Sequence, residues 1–133
     1  MAAISPETKV GMEFSLVPPK TVVQENGNGA AFDISGSTSR LFICLLVIAN
    51  IIEQESLDIS IWGSVDQADW GAKPILKFPQ RFYRGQTQMV LDLGERPEVK
   101  FIRARWDVNR WGRGSPVPMF EFSLHAREVP RTS

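Results

Sequence analysis

The chain has 133 residues, enough for one domain with a core of its own and no need of metal or disulfide staples. Its apolar share of 43% and charged share of 23% are those of an ordinary folded protein and exclude a disordered or fibrous chain. Fifteen basic and fifteen acidic groups cancel, so no overall field draws in nucleic acid or an anionic membrane.

The cancellation hides an asymmetry. Residues 1–80 carry five basic against nine acidic groups, and residues 81–133 carry ten against six. Nine of those ten are arginines, which suit bidentate contacts and stacking on rings better than lysine does. Either the subunit is dipolar and associates head to tail, or the charges interleave once the strands mix in space. With a single cysteine, Cys44, an internal disulfide is excluded. It lies inside the apolar run 41–48, where a cysteine acts as a small buried hydrophobe. The first residues lack the charged start and apolar stretch of a signal peptide, and the longest apolar run is too short for a membrane helix. The expectation is synthesis in a reducing cytoplasm without membrane insertion, the product standing free or as part of an assembled particle.

In chain order, residues 1–11 have little to anchor them and are expected to form a flexible arm. A strand follows over residues 12–17, stopped by Pro18-Pro19. A short second strand, 21–24, ends at Asn26-Gly27-Asn28-Gly29, a doubled turn signal. A third over 30–34 breaks at Ser35-Gly36-Ser37. Residues 40–51 form the longest strand, followed by 57–62, 75–78, 87–93, 101–108 and 119–126, with 130–133 as a tail. No segment reads as a helix. About nine strands, with turns every eight to twelve residues, predict one all-β domain over 12–129. Its expected architecture is a two-sheet antiparallel sandwich of the jelly-roll kind.

Alternation assigns the faces. Leu57, Ile59 and Ile61 point one way, as do Met89, Leu91 and Leu93. Ile102, Ala104, Trp106 and Val108 point inward while Arg103, Arg105 and Asp107 point out. Phe120, Phe122, Leu124 and Ala126 alternate with Glu121, Ser123, His125 and Arg127. One strand breaks the rule. Leu41, Ile43, Leu45 and Val47 form one face, but Phe42, Cys44, Leu46 and Ile48 make an equally apolar second one. A sandwich strand normally wets one side. Its second face is therefore covered either by the N-terminal segment folding back or by another subunit.

The inventory for catalysis is thin. His125 is the only histidine, and no serine stands in a Gly-x-Ser-x-Gly elbow to partner it. It falls on the polar face of the last strand and reads as a solvent-facing structural residue. One Cys and one His do not make a zinc site, and no glycine-rich loop leads into a helix. No catalytic residue, metal or cofactor is expected.

Two clusters are candidate contacts for a ligand or partner. In Trp62-Gly63-Ser64-Val65-Asp66-Gln67-Ala68-Asp69-Trp70, Trp62 is outward by parity and Trp70 lies in the following loop. An exposed ring beside Asp66 and Asp69 suits a sugar face. Alternatively the segment is a tight turn whose aspartates bond their own backbone while Trp70 caps the sandwich edge. Calcium fails on ligand count. In the second cluster, Arg103, Arg105, Arg110 and Arg113 interleave with Trp106 and Trp111. Such a platform can meet phosphates and bases, but Trp106 has inward parity and the net charge is zero, which disfavours nucleic acid. Arg103 and Arg105 could instead pair across strands with Glu121 or other acidic neighbours. A protein-contact rim rich in Arg and Trp remains.

The order of these pieces resembles a known group. A long apolar strand precedes Ser56-Leu57-Asp58-Ile59-Ser60-Ile61-Trp62-Gly63-Ser64-Val65-Asp66 and a turn tryptophan, Trp70. Phe101-Ile102-Arg103-Ala104-Arg105-Trp106 and Phe120-Glu121-Phe122 then follow. Over residues 29–127 this resembles the small β-sandwich modules of phage and phage-derived gene clusters, often head-decoration or tail-associated proteins. Gln67 stands where that pattern has glycine, and Trp111-Gly112-Arg113-Gly114 is additional. The resemblance implies a structural, oligomeric, non-enzymatic role with no catalytic residues to transfer. The expected function is an assembly or protein-interaction module, partnered by its own copies or another protein. A carbohydrate-binding module using Trp62, Trp70 or Trp111 is the alternative.

Overall fold

The computed structural model describes residues 11–51, 55–110 and 119–131, and every regular element among them is a β-strand. The nine strands are β1 (Glu13–Val23), β2 (Gly27–Asn28), β3 (Phe32–Asp33), β4 (Leu41–Ile51), β5 (Glu55–Ser64), β6 (Leu76–Lys77), β7 (Gly85–Asp92), β8 (Phe101–Arg110) and β9 (Phe120–Glu128). They form two antiparallel sheets. Sheet A runs β1-β9-β4-β7; in sheet B, β2 and β3 both border β8, which pairs with β5, and β5 with β6. The pairings are nested: β1 lies on β9, β2 and β3 on β8, β4 on β7, and β5 on β6. Rolling up one long hairpin in this way produces a jelly roll.

This nesting sets strands from residues 1–80 beside strands from 81–133 in every pairing except β5 with β6. Acidic and basic halves of the chain are thereby interleaved in both sheets. The dipole suggested by the linear sequence is largely cancelled in space.

Several element boundaries differ from the alternation. Pro18-Pro19 does not stop the first strand, because β1 is a sheet edge where a missing N–H costs no ladder bond. The pairing shifts register between Ser15 and Val17 and again between Val17 and Thr21, with Lys20 at φ 67°, so the expected second strand is the far half of β1. The Asn26–Gly29 stretch is not a free turn. Gly27 and Asn28 bridge to Trp106 and Arg105, and Gly29 N–H donates to the Ala104 carbonyl at 2.8 Å. The third strand shrinks to Phe32–Asp33.

The inward parities hold. Phe42, Cys44, Leu46 and Ile48 of β4 meet Phe120, Phe122, Leu124 and Ala126 of β9 in one layer, opposed by Leu57, Ile59, Ile61, Ile102 and Ala104 of sheet B, all buried. Aromatic contacts bridge the layers: Phe14 stacks on Phe32 at 5.0 Å, and Trp106 meets Phe122 edge-on at 5.7 Å. Cys44 is fully buried, and burial pushes its thiol up to about 12.

The outer face of β4 is the exception to ordinary sandwich chemistry. Leu41, Ile43, Leu45 and Val47 are half-buried in the middle of sheet A, next to exposed Val90 of β7. The N-terminal strand is not their cover, since β1 lies in the same sheet with β9 between it and β4. The rest of the expected arm, residues 1–10, lies outside the described residues.

Candidate functional site

The outer face of sheet B gathers most of the polar and aromatic candidates. Antiparallel register sets Trp62 opposite Arg103, Ser60 opposite Arg105, and Asp58 opposite Asp107, with Lys77 of β6 beside Ser60. Outward parity along β5 and β8 makes these side chains neighbours on one surface.

Two cation–ring contacts organise the upper part. The Arg103 guanidinium stands 4.2 Å above the Trp70 ring, and that of Arg105 is 5.6 Å from the Trp62 ring centre. Arg103 Nε is buried with no hydrogen-bond partner among the described residues. Trp62 Nε1–H donates to Ser60 Oγ at 2.9 Å, and Trp70 Nε1–H to the Gln67 carbonyl at 3.1 Å. Neither arginine reaches Glu121, which lies on β9 in the other sheet, so of the open alternatives the pairing with Glu121 does not form. Arg105 instead approaches Asp107 two residues along its own strand, at 3.6 Å.

Asp66 and Asp69 are committed to their turn. Asp66 Oδ1 accepts the N–H groups of Ala68 and Asp69, and Asp69 Oδ1 accepts that of Gly71. The bonds from the Asp69 and Ala68 backbone hold the Asp66 carboxyl below the usual carboxylate range. Gln67 completes the turn at φ 69°, a left-handed conformation that glycine would adopt freely.

Below the stacks lies an open cleft of about 570 Å³ between β5, β6 and β8. Trp62, Asp58, Asp107, Arg105, Lys77 and Gln80 all line it. Asp58 and Asp107 are directly opposed carboxylates, an arrangement that costs stability in a sheet. Gln80 Nε2–H relieves one by donating to Asp58 Oδ2 at 2.9 Å, and Arg105 partly offsets the other. The alternation showed Asp58 and Asp107 as outward residues. That they face one another, with Lys77 and Gln80 beside them, depends on strand pairing and has no local signal.

Of the other candidates, Arg110 ends β8 opposite Glu55 in the ladder, and Trp111 and Arg113 lie outside the described residues. No group of three or more His, Cys, Asp or Glu side chains suited to a metal occurs among the described residues.

His125 has unexpected neighbours. Its Nδ1 lies 3.4 Å from Ser15 Oγ, and its Nε2 lies 2.8 Å from Glu13 Oε2. These are the residue types of a hydrolytic triad, brought together by the Ser15–His125 register of β1 and β9. They lie on the outer surface of sheet A, with His125 and Glu13 about two-fifths exposed. Nucleophilic catalysis also needs oxyanion donors and a substrate cleft; the cleft described above is on the other sheet.

Fold and surfaces together define a jelly-roll sandwich with an apolar outer face on one sheet and a polar, aromatic-walled cleft on the other. No protein-family model matches the chain, and no curated protein matches it.

Proposed function

We propose that this domain is a non-enzymatic assembly module whose docking face is the outer surface of sheet A and whose partner is a second copy of the chain. Jelly rolls serve both particle shells and lectins, so topology alone does not choose between them. The observation that carries the reading is the outer face of β4: Leu41, Ile43, Leu45 and Val47, extended by Val90, make an apolar stripe at the centre of a sheet whose neighbouring outward residues are polar. Gln86, Gln88 and Asp92 flank it on β7, and Ser123, His125 and Arg127 on β9. An apolar centre with a polar rim is the composition of a protein interface. The rim carries both signs, with Glu13 held by His125, Asp92 held by Arg131, and Arg127 opposite Glu13, so two identical faces related by a two-fold axis meet no single-sign field. The resemblance to phage decoration modules supports the same role.

The test is the molar mass of the Ile43→Lys and Val90→Lys variants by size-exclusion chromatography with light scattering. Both are expected to run as monomers with an unchanged β-type circular dichroism spectrum, while the parent chain runs as an oligomer. An oligomer that survives both substitutions would place the interface elsewhere and overturn the reading.

A further inference from the structure

On the sheet opposite the docking face, we infer that the cleft between β5, β6 and β8 is a binding site for a neutral saccharide. Its lining offers the two kinds of contact that a sugar needs. Trp62 supplies an apolar ring wall for C–H surfaces. Asp58 and Asp107 accept hydrogen bonds from hydroxyl groups, and Gln80, Lys77 and Arg105 donate them. The volume of about 570 Å³ lies within the range of small-ligand sites and has room for one or two sugar rings.

Charge decides the ligand class. Asp58 and Asp107 balance Lys77 and Arg105, so the cleft offers a nucleic-acid or sulfated chain no net attraction. An uncharged polyhydroxy ligand loses nothing by this balance. The opposed carboxylates are the second argument. A sheet selected only for stability would not set Asp58 directly against Asp107, and ligand hydroxyls inserted between them would relieve the repulsion. Of the three tryptophans expected to stack on sugar, Trp111 lies outside the described residues and Trp70 stands outside the cleft with Arg103 at 4.2 Å over its ring, whereas Trp62 lines the cleft with Arg105 farther off, at 5.6 Å.

The experiment is a titration of the full chain with glucose, galactose, mannose and their neutral disaccharides to millimolar concentration, followed by two-dimensional amide and indole NMR. Trp62→Phe identifies the Trp62 indole signal. At least one neutral sugar should shift that signal together with the amides around Asp58 and Asp107. Asp58→Asn should weaken its binding at least about tenfold, yet leave the thermal midpoint unchanged or raised, because a like-charge contact has been removed. A purely structural Asp58 would lower the midpoint instead. Absence of binding by every neutral sugar tested, shifts confined to another surface, or preference for a sulfated oligosaccharide would each overturn the inference. None of these outcomes bears on the opposite sheet, so this site and the docking face are judged separately.

Discussion

A carboxylate that is only 4% exposed must be surrounded by donors, and Glu128 has five. It accepts the N–H of Met12, Thr38 and Ser39 and the hydroxyls of Ser37 and Ser39, tying the start of β1 and the loop before β4 to the end of β9. Burial opposes its ionisation, but the bonds from Ser37, Ser39 and Met12 outweigh burial and hold its pKa at about 2, against an ordinary value of 4.5. The folded pKa is the lower one, so the stabilisation is complete above about 4.5 and is lost as pH falls toward 2. Glu128→Gln, which turns one of the two acceptor oxygens into an N–H group facing donors and removes the charge, is expected to cost about 2–3 kcal/mol at neutral pH. In urea titrations the gap between variant and parent should close as the pH approaches 2; a constant gap would refute the assignment. Glu128 continues the inward parity of Phe120, Phe122, Leu124 and Ala126. Reading the strand as finished at Ala126 hid it. Gln67 is the converse case. Its φ of 69° puts a non-glycine side chain in a left-handed backbone conformation, which carries a physical cost. Gln67→Gly is expected to raise stability by up to about 1 kcal/mol, read as a higher thermal midpoint, and a lower midpoint would show that the turn needs the side chain.

The elements most legible in the sequence are those with strict alternation. The cores of β5, β7, β8 and β9 emerge from period two alone because apolar and polar residues alternate in each, and β5 keeps the alternation even though its outward Ser56, Ser60 and Ser64 are buried. β1 was misread because proline is a breaker only where the ladder needs its N–H, and edge position is a tertiary property. β2, β3 and β6 contain two residues each; β3 and β6 fall inside the strands expected over 30–34 and 75–78 but are shorter, and β2, read as a turn, is defined by its partner alone. Gly63 shows how tightly β5 is held from behind. A Cβ there would meet Val99 Cγ1 at 2.9 Å and Ile75 Cδ1 at 3.2 Å, immediately next to Trp62. Gly63→Ala should therefore destabilise the domain by about 1–3 kcal/mol. Its effect should be largest on amide exchange in β5 and in the segment around Val99. Wild-type exchange rates in both segments would contradict that packing.

At the scale of the whole molecule, the class of fold was readable and the nested pairing was not. Strand count and turn spacing point to a two-sheet sandwich, whereas the placement of β1 against β9 and β5 against β8 depends on contacts far apart in sequence. The same limit governed the site. Trp62 and Trp70 stand in one sequence cluster and Arg103 and Arg105 in another, and the structure joins the two clusters on one surface. Asp58, Asp107, Lys77 and Gln80 become a cleft only after the strands pair. The two-faced strand β4 was legible throughout, because eight successive apolar residues cannot all point inward. Among the described residues its outer half stays partly exposed, and association of copies is one way to take that apolar stripe out of water. Sedimentation equilibrium of the parent chain across a wide concentration range tests this most directly. A mass at least twice that of one chain is expected at high concentration, falling toward the monomer on dilution. A monomer mass at every concentration would contradict it.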